Sequence, residues 1–430
     1  MSFEREPSPV RRTHFPLSHQ GAPVRARRST RLLKPGVTLT ALLAVTLIPW
    51  HGLRPRAAGS GEINFRKHTI DLGPSETCAV ADLNQDGKLD IISGENWYEQ
   101  RSAGAAGAGP EWVKHKFRSL DYREYYVDDF SDLPIDVNGD GYPDLVTATW
   151  FTNRLSWYEN PRGREAPWRE TVIQSGYPVE FAFLVDLLNT GKPQQLLPQF
   201  GDEKAPLAWY ELTGTGAEAQ WVKHEVSPQS YGHGIGAGDV NGDGRTDILT
   251  PKGWFEAPPD PRNGRWIFHP EFDLGVTGFI YAEDVNGDGL PDLVTSAAHG
   301  YGIFWYEQRK NSSGQRSWIK HVVDDSWSQS HALTLVDLNR DGRRDLVTGK
   351  RFMAHNGRDP GEREPLGVYW YESSNVEGRP EWVRHIIDYS TRAGGGMQIP
   401  VVDIDGDGDL DVVVAGKSGL FLFENLTISH

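Results

Sequence analysis

Nine-residue acidic phrases recur along the chain, and Asp239-Val-Asn241-Gly-Asp243-Gly-Arg245-Thr-Asp247 is the clearest of them. Side-chain oxygens at its first, third, fifth and ninth positions, with the backbone carbonyl of the seventh, can converge on one point. Glycine at the sixth position permits the sharp turn this requires. Hard oxygen donors in a flexible loop suit Ca²⁺ better than Zn²⁺ or Mg²⁺. The same spacing recurs five more times. The expected ligands are therefore Asp82, Asn84, Asp86 and Asp90; Asp136, Asn138, Asp140 and Asp144; Asp239, Asn241, Asp243 and Asp247; Asp284, Asn286, Asp288 and Asp292; Asp337, Asn339, Asp341 and Asp345; and Asp403, Asp405, Asp407 and Asp411. The ninth residue leads into a strand and no Glu stands at the twelfth, which separates the phrase from an EF-hand loop. One such phrase alone is an ordinary Asp/Asn-Gly turn. Six intact copies would crowd like charges if left empty, so about six structural Ca²⁺ ions are expected. A seventh copy, Asp186-Leu-Leu-Asn-Thr-Gly191-Lys-Pro-Gln194, lacks carboxylates at the fifth and ninth positions and is expected to hold none.

A second set of reactive residues stands at fixed offsets from these loops. Six residues before each first Asp come Glu76, Phe130, Glu180, His233, Gly278, His331 and Met397. Five residues beyond the ninth position come Glu95, Thr149, Gln199, Lys252, Ala297, Lys350 and Gly416, with Lys417 next. A purely structural repeat would keep small or apolar residues here, whereas this set mixes His, Glu and Lys. Such variation points to a ligand site assembled from several repeats. Lys252, Lys350, Arg351, His355, Arg392, Lys417, Glu95 and Glu180 are the expected ligand contacts. If the site is catalytic, His233, His331 or Tyr231 would be the base and Lys350 or Arg351 the electrophile, the pairing needed to remove a proton beside a carbonyl. No nucleotide-binding loop or Ser nucleophile elbow accompanies them.

Three phrases recur in order and must position these groups. They are Trp-x-x-His (Trp112 to His115, Trp221 to His224, Trp266 to His269, Trp318 to His321, Trp382 to His385), the acidic loop, and Trp-Tyr-Glu or a close relative at Trp97, Trp157, Trp209, Trp254, Trp305, Trp370 and Leu422. The repeating His and Trp are expected to pack within and between repeats. Each unit reads as four short strands, the first before the loop and the second after it, which is the make-up of a propeller blade. The chain after residue 61 begins with a fourth-type strand (63–70) and ends with a first, second and third. Joined, these halves would complete a seventh blade and close the ring. The expected fold is all-β, a seven-bladed propeller of four antiparallel strands per blade over residues 61–430.

These motifs resemble the FG-GAP/VCBS repeat family, which includes integrin α-subunit propellers and many exported bacterial proteins. The Asp-x-Asn-Gly-Asp-Gly-x-x-Asp-Leu phrase carries the resemblance, and Trp-Tyr-Glu looks like its bacterial branch. The resemblance implies calcium at the loops and a closed propeller. It leaves the activity open among adhesins, lectin-like modules and a few carbohydrate lyases or dehydratases.

Residues 1–60 carry ten Lys/Arg against Glu4 and Glu6, and a basic run leads into the apolar stretch 37–50. That stretch is short for a membrane span of ~20 residues and suits a signal peptide or an uncleaved N-terminal anchor. A secreted, periplasmic or cell-surface location is expected, with membrane contact only through such an anchor. Cys78 stands alone, so no disulfide supports the fold. The remainder of the chain carries a net −23, which disfavours a nucleic-acid partner. The expected partner of the monomer is a carbohydrate or an extracellular protein, bound on the face opposite the acidic loops. A carbohydrate-active lyase or dehydratase acting on uronates or keto-sugars is the alternative.

Overall fold

In most repeats, two side chains, one buried and one half-buried, explain why three short phrases recur together. The first is the ninth loop residue. Asp90, Asp144, Asp247, Asp292, Asp345 and Asp411 are each fully buried at the start of a second strand. One carboxylate oxygen accepts the N–H of the second loop residue (Leu83, Val137, Val240, Val285, Leu338, Ile404) at 2.9–3.2 Å. The other accepts the N–H of the residue after Trp-Tyr-Glu (Gln100, Asn160, Ala257, Gln308, Ser373, Asn425) at 2.7–3.0 Å. One side chain thus ties the acidic turn to the end of the third strand.

The second is the outer-strand histidine. In the antiparallel register, Trp97, Trp209, Trp254, Trp305 and Trp370 face His115, His224, His269, His321 and His385. The rings stack at 4.2–4.4 Å between centroids. Each imidazole Nε2 lies 2.9–3.2 Å from the Glu of Trp-Tyr-Glu. The tryptophan contributes buried apolar area and the glutamate fixes the imidazole over it.

A computed structural model describes residues 62–101, 110–377 and 379–427. All lie in one compact unit spanning Ala58–His430. The basic and apolar segment read as a signal or anchor lies outside the described residues. Among the described residues, no helix is long and apolar enough to cross a membrane, and the only helix is the 3₁₀ turn Gly216–Glu218.

The strands form a propeller-like ring of small antiparallel sheets. Five separate four-stranded sheets are present, with one eight-stranded sheet and a two-stranded hairpin. Inner strands such as Ala79–Ala81, Ser131–Ile135, Val179–Val185 and Ile235–Gly238 lie beside one another in succession. The N-terminal strand Phe65–Asp71 pairs with the last strand, Gly419–Asn425, and stands at the outer edge of that sheet.

Seven separate sheets were expected, and the difference lies between Ile235–Gly238 and Phe279–Glu283. These inner strands hydrogen-bond in parallel (Ile235↔Phe279, Gly236↔Ile280, Ala237↔Tyr281) and merge two four-stranded halves. Glycine is the reason: a Cβ at position 236 would collide with the Ile280 carbonyl, and one at 238 would press on the Ala282 side chain. Without side chains at those points, backbone pairing replaces the side-chain packing used elsewhere.

The decayed loop shows a smaller correction. Gln195, not Gln194, starts the second strand of that repeat, and its Oε1 takes the N–H of Leu188 at 3.3 Å. Asp186 still accepts the N–H groups of Thr190 and Gly191, so the turn persists without the buried carboxylate.

Replacing Asp345 by Ala leaves two buried N–H groups without acceptors. The expected loss is about 2–5 kcal/mol of unfolding free energy, read by denaturant unfolding. An unchanged midpoint would remove the carboxylate from the account of the fold.

Candidate metal and ligand centre

The register six residues before each acidic loop brings several ionisable groups together. Glu180 and His331 sit near the starts of the inner strands Val179–Val185 and Ser330–Val336, and His233 precedes Ile235–Gly238. His233 Nε2 lies 2.8 Å from Glu180 Oε2. His331 Nε2 lies 3.8 Å from Glu180 Oε1, and its ring is fully buried.

His299 joins them from the turn between Asp292–Ser296 and Tyr301–Lys310. Its Nε2 is 2.9 Å from His233 Nε2. Its Nδ1 is 2.8 Å from Asp359 Oδ2 and 2.9 Å from His355 Nδ1, both supplied by the insertion after Arg351. Ligand atoms of Glu180, His233, His299 and His331 lie within 4.8 Å of one another, and those of His299, His355 and Asp359 do likewise. Both quartet and trio are donor sets for a borderline cation such as zinc.

Arg351 neutralises the carboxylates beneath this cluster. Its guanidinium lies 3.0 Å from Glu76 Oε2 and 3.4 Å from Glu180 Oε1, and all three residues are buried. Burial raises the Glu76 carboxyl, with Arg351 opposing. Burial pushes Glu180 the same way, but the charges of His233 and Arg351 prevail and hold it down to about 2. Burial and the neighbouring charge of His233 lower His299 to about 4. Burial, then the cation of Arg351, takes His331 well below the usual imidazole range. Burial opposes protonation of His233, but the Glu180 carboxylate prevails and raises it. The cluster therefore pairs a charged carboxylate with His233 and keeps His299 and His331 unprotonated. Lys417 stands over the Tyr126 ring at 3.5 Å and 3.8 Å from Glu76 Oε1, and burial lowers it to about 8.

A pocket of about 670 Å³ opens above Glu180, His233, His299 and Arg351. Tyr126, Phe130, Trp150 and Phe151 line one wall; His355, Arg358 and Asp359 line another. The aromatic wall depends on the hairpin Tyr122–Val127, which turns through Glu124 and Tyr125 at positive φ. Asp128 anchors the facing turn by accepting the N–H groups of Trp150, Phe151 and Thr152. The fixed offsets from the acidic loops do not reach Trp150, Phe151, His299 or Asp359. His299 stands two residues beyond Ala297, one of the positions at the fixed offset, and this is the signal available.

Other expected contacts lie elsewhere. Tyr231 packs against Phe255 and Phe268. Lys252 is exposed and pairs with Asp273 at 2.7 Å. Glu95 pairs with Lys116 and accepts the N–H of Leu120. Arg392 donates to the Ser418 carbonyl. Lys350 is buried, with its ammonium on the Ser328 carbonyl and hydroxyl. None of these five lines the pocket. The offset identifies a position in the repeat, but side-chain length and local partners decide which way the group reaches.

At the opposite end of the inner strands, the acidic loops are held by their first Asp. Asp239 Oδ1 accepts the N–H groups of Gly242 and Asp243, and its Oδ2 that of Gly244. In the last loop, carboxylate oxygens of Asp403, Asp405 and Asp411 lie within 4.8 Å of one another. Elsewhere the fifth-position carboxylates meet nearby cations: Lys88 on Asp86, Arg162 on Asp140, Arg245 on Asp243 and Arg343 on Asp341. The donors are all hard oxygens, a set that fits Ca²⁺.

Small antiparallel sheets arranged in a ring, with loops of one kind on one rim and a pocket on the other, define a β-propeller. Residues 284–348 match the FG-GAP-like repeat, so this propeller-like ring carries at least one such repeat. No curated protein matches it in sequence. Solved structures similar to it include an Agrocybe aegerita lectin specific for non-reducing terminal N-acetylglucosamine (16% identity over 73% of this chain and 80% of that one, TM-score 0.43). Others are BBS1N in its complex with ARL6DN (11%, 86% and 98%, 0.47) and the V. cholerae biofilm matrix protein Bap1 (12%, 86% and 92%, 0.38). At these values they bear on no functional question.

Removing Arg351 leaves Glu76 and Glu180 buried without their shared cation. Arg351→Met is expected to cost about 3–5 kcal/mol of stability, measured by denaturant unfolding at neutral pH. A loss below about 1 kcal/mol would mean that the carboxylates find other neutralisation.

Proposed function

We propose that the chain is an exported propeller that binds a carbohydrate in the pocket above Glu180, His233 and His299. The carrying observation is the pairing of an aromatic wall (Tyr126, Phe130, Trp150, Phe151) with a wall of imidazole, carboxylate and guanidinium groups. Sugar rings present apolar C–H faces and polar hydroxyl edges, and these two walls complement them. The remaining features fit the same reading. Each half of the eight-stranded sheet counts as one blade, giving seven. The pairing of Phe65–Asp71 with Gly419–Asn425 supports closure of that ring. Calcium in the six intact acidic loops would stabilise the rim that carries the turns, by binding the folded state alone. The residues to hold it are those of the Asp-x-Asn/Asp-x-Asp-x-x-x-Asp spacing, with the Asp186 loop left out.

A lyase or dehydratase is the second reading, and one observation favours it. One imidazole held unprotonated by burial, His299, lines the pocket together with the fixed guanidinium of Arg351. Proton removal beside a carbonyl needs a base and an electropositive group.

Two measurements test these readings. Titration calorimetry against neutral and uronate oligosaccharides is expected to show binding that Trp150→Ala weakens about tenfold or more. Appearance of 4,5-unsaturated product in the same mixtures marks the enzyme, and binding without turnover the module. If no oligosaccharide binds, the carbohydrate reading fails. Separately, excess EGTA is expected to lower the melting temperature markedly, and an indifferent melt would remove calcium from the loops.

A further inference from the structure

We infer that Glu180, His233, His299 and His331 form a site for one first-row transition dication of the zinc type, distinct from the acidic loops. The inference stands on ring-nitrogen geometry and does not depend on what occupies the pocket.

His233 Nδ1 lies 2.7 Å from the Thr277 carbonyl, which only accepts, so this nitrogen carries a hydrogen. His299 Nδ1 faces both the Asp359 carboxylate at 2.8 Å and His355 Nδ1 at 2.9 Å, and the tautomer that donates to the carboxylate carries its hydrogen there. Each neutral ring then presents a bare Nε2 lone pair, and those two nitrogens face each other at 2.9 Å. Lone pairs so placed repel unless an electron-pair acceptor lies between or beside them. One added proton on His233 Nε2 would serve either Glu180 Oε2 at 2.8 Å or His299 Nε2, and would leave His331 untouched.

His331 is the independent observation. It is fully buried, and neither ring nitrogen has a hydrogen-bond partner. A buried imidazole left so costs about 1–3 kcal/mol. Its Nε2 nevertheless points at the same place, 3.8 Å from Glu180 Oε1. A dication accepting three imidazole nitrogens and one carboxylate oxygen engages all four residues at once and leaves only His331 Nδ1 unpaired among these ring nitrogens.

The chemistry selects the cation. Three nitrogens and one oxygen match zinc and its neighbours, and exclude Ca²⁺ as the preferred occupant. Bonds of about 2.0–2.1 Å place tetrahedral donors about 3.3 Å apart, so the spread of up to 4.8 Å closes by small side-chain movements. Behind two of the ligands stand a carbonyl and a carboxylate holding the opposite ring N–H, the arrangement that orients metal-bound histidines. Arg351 engages Glu180 through Oε1 and leaves Oε2 for the ion. Because Glu180, His233 and His299 also line the pocket, one side of the ion would face its contents. There it could polarise a carbonyl or carboxylate oxygen.

The test uses the full chain stripped with EDTA, returned to excess Ca²⁺, and titrated with Co²⁺. The expected result is one Co²⁺ per chain with the intense visible bands of four- or five-coordinate cobalt, displaced by Zn²⁺. His299→Ala and His331→Ala are each expected to weaken uptake more than about 100-fold, and Asp359→Asn, a positioning change, about 10–100-fold. His299 is partly exposed, so its variant keeps the test valid if loss of the buried His331 ring perturbs folding. Circular dichroism and the calcium-loaded melt report that directly. No uptake, a six-coordinate spectrum, or bands unchanged in His299→Ala would overturn the site.

Discussion

A carboxylate buried at the start of nearly every second strand is the interaction on which this structure depends. Its two oxygens take one N–H from the acidic turn before it and one from the end of the third strand. Burial makes those bonds costly to lose, and their geometry fixes where the turn sits relative to Trp-Tyr-Glu. The tryptophan of that phrase then meets the outer-strand histidine, and the glutamate clamps it. Each repeat is thereby locked from turn to outer edge by side chains that recur at constant spacing. The Asp186 repeat supports the logic, since a Gln one residue later takes over one of the two bonds.

Because the turns are tied in this way, the inner strands start in nearly the same place in successive repeats. The residue six before each loop then faces its neighbours. In most proteins such a ring of equivalent positions would be filled with apolar or small groups. Here Glu76, Glu180, His233 and His331 occupy four of the seven, and Arg351 supplies the countercharge that burial of two carboxylates demands. The regular rim carries the repeated turns; the irregular rim gathers the ionisable groups.

The irregular rim also departs from the easiest backbone conformations, as the acidic turns do at Gln85, Asn189 and Arg340. Glu124 and Tyr125 in the hairpin, and Met353 and Asn356 in the insertion after Arg351, adopt positive φ without being glycine. Those turns deliver the aromatic wall and the His355–Asp359 pair to the pocket. Backbone strain of this kind persists where surrounding contacts over-determine it, and it gathers at ligand sites. The zinc-type centre inferred above would add such a determinant, drawing four repeats together at one point.

The sequence by itself determined the repeat, the all-β class, the oxygen-rich turns and the packing role of the recurring Trp and His. All of these follow from local spacing: a strand alternates, a turn needs its glycine, and a phrase that recurs must do the same job each time. The offset from the loop also picked out Glu180, His233 and His331 as neighbours. Only the tertiary structure decided that His299 and Asp359 complete the cluster, that Lys252, Glu95 and Arg392 reach away from the pocket, and that Lys350 turns inward to Ser328. It likewise decided that two glycine-bearing inner strands merge their sheets. These outcomes depend on how non-repeating connections cross the rim and on which partner lies nearest a flexible side chain. Neither leaves a periodic trace in the chain, because each is set by contacts between residues far apart in sequence.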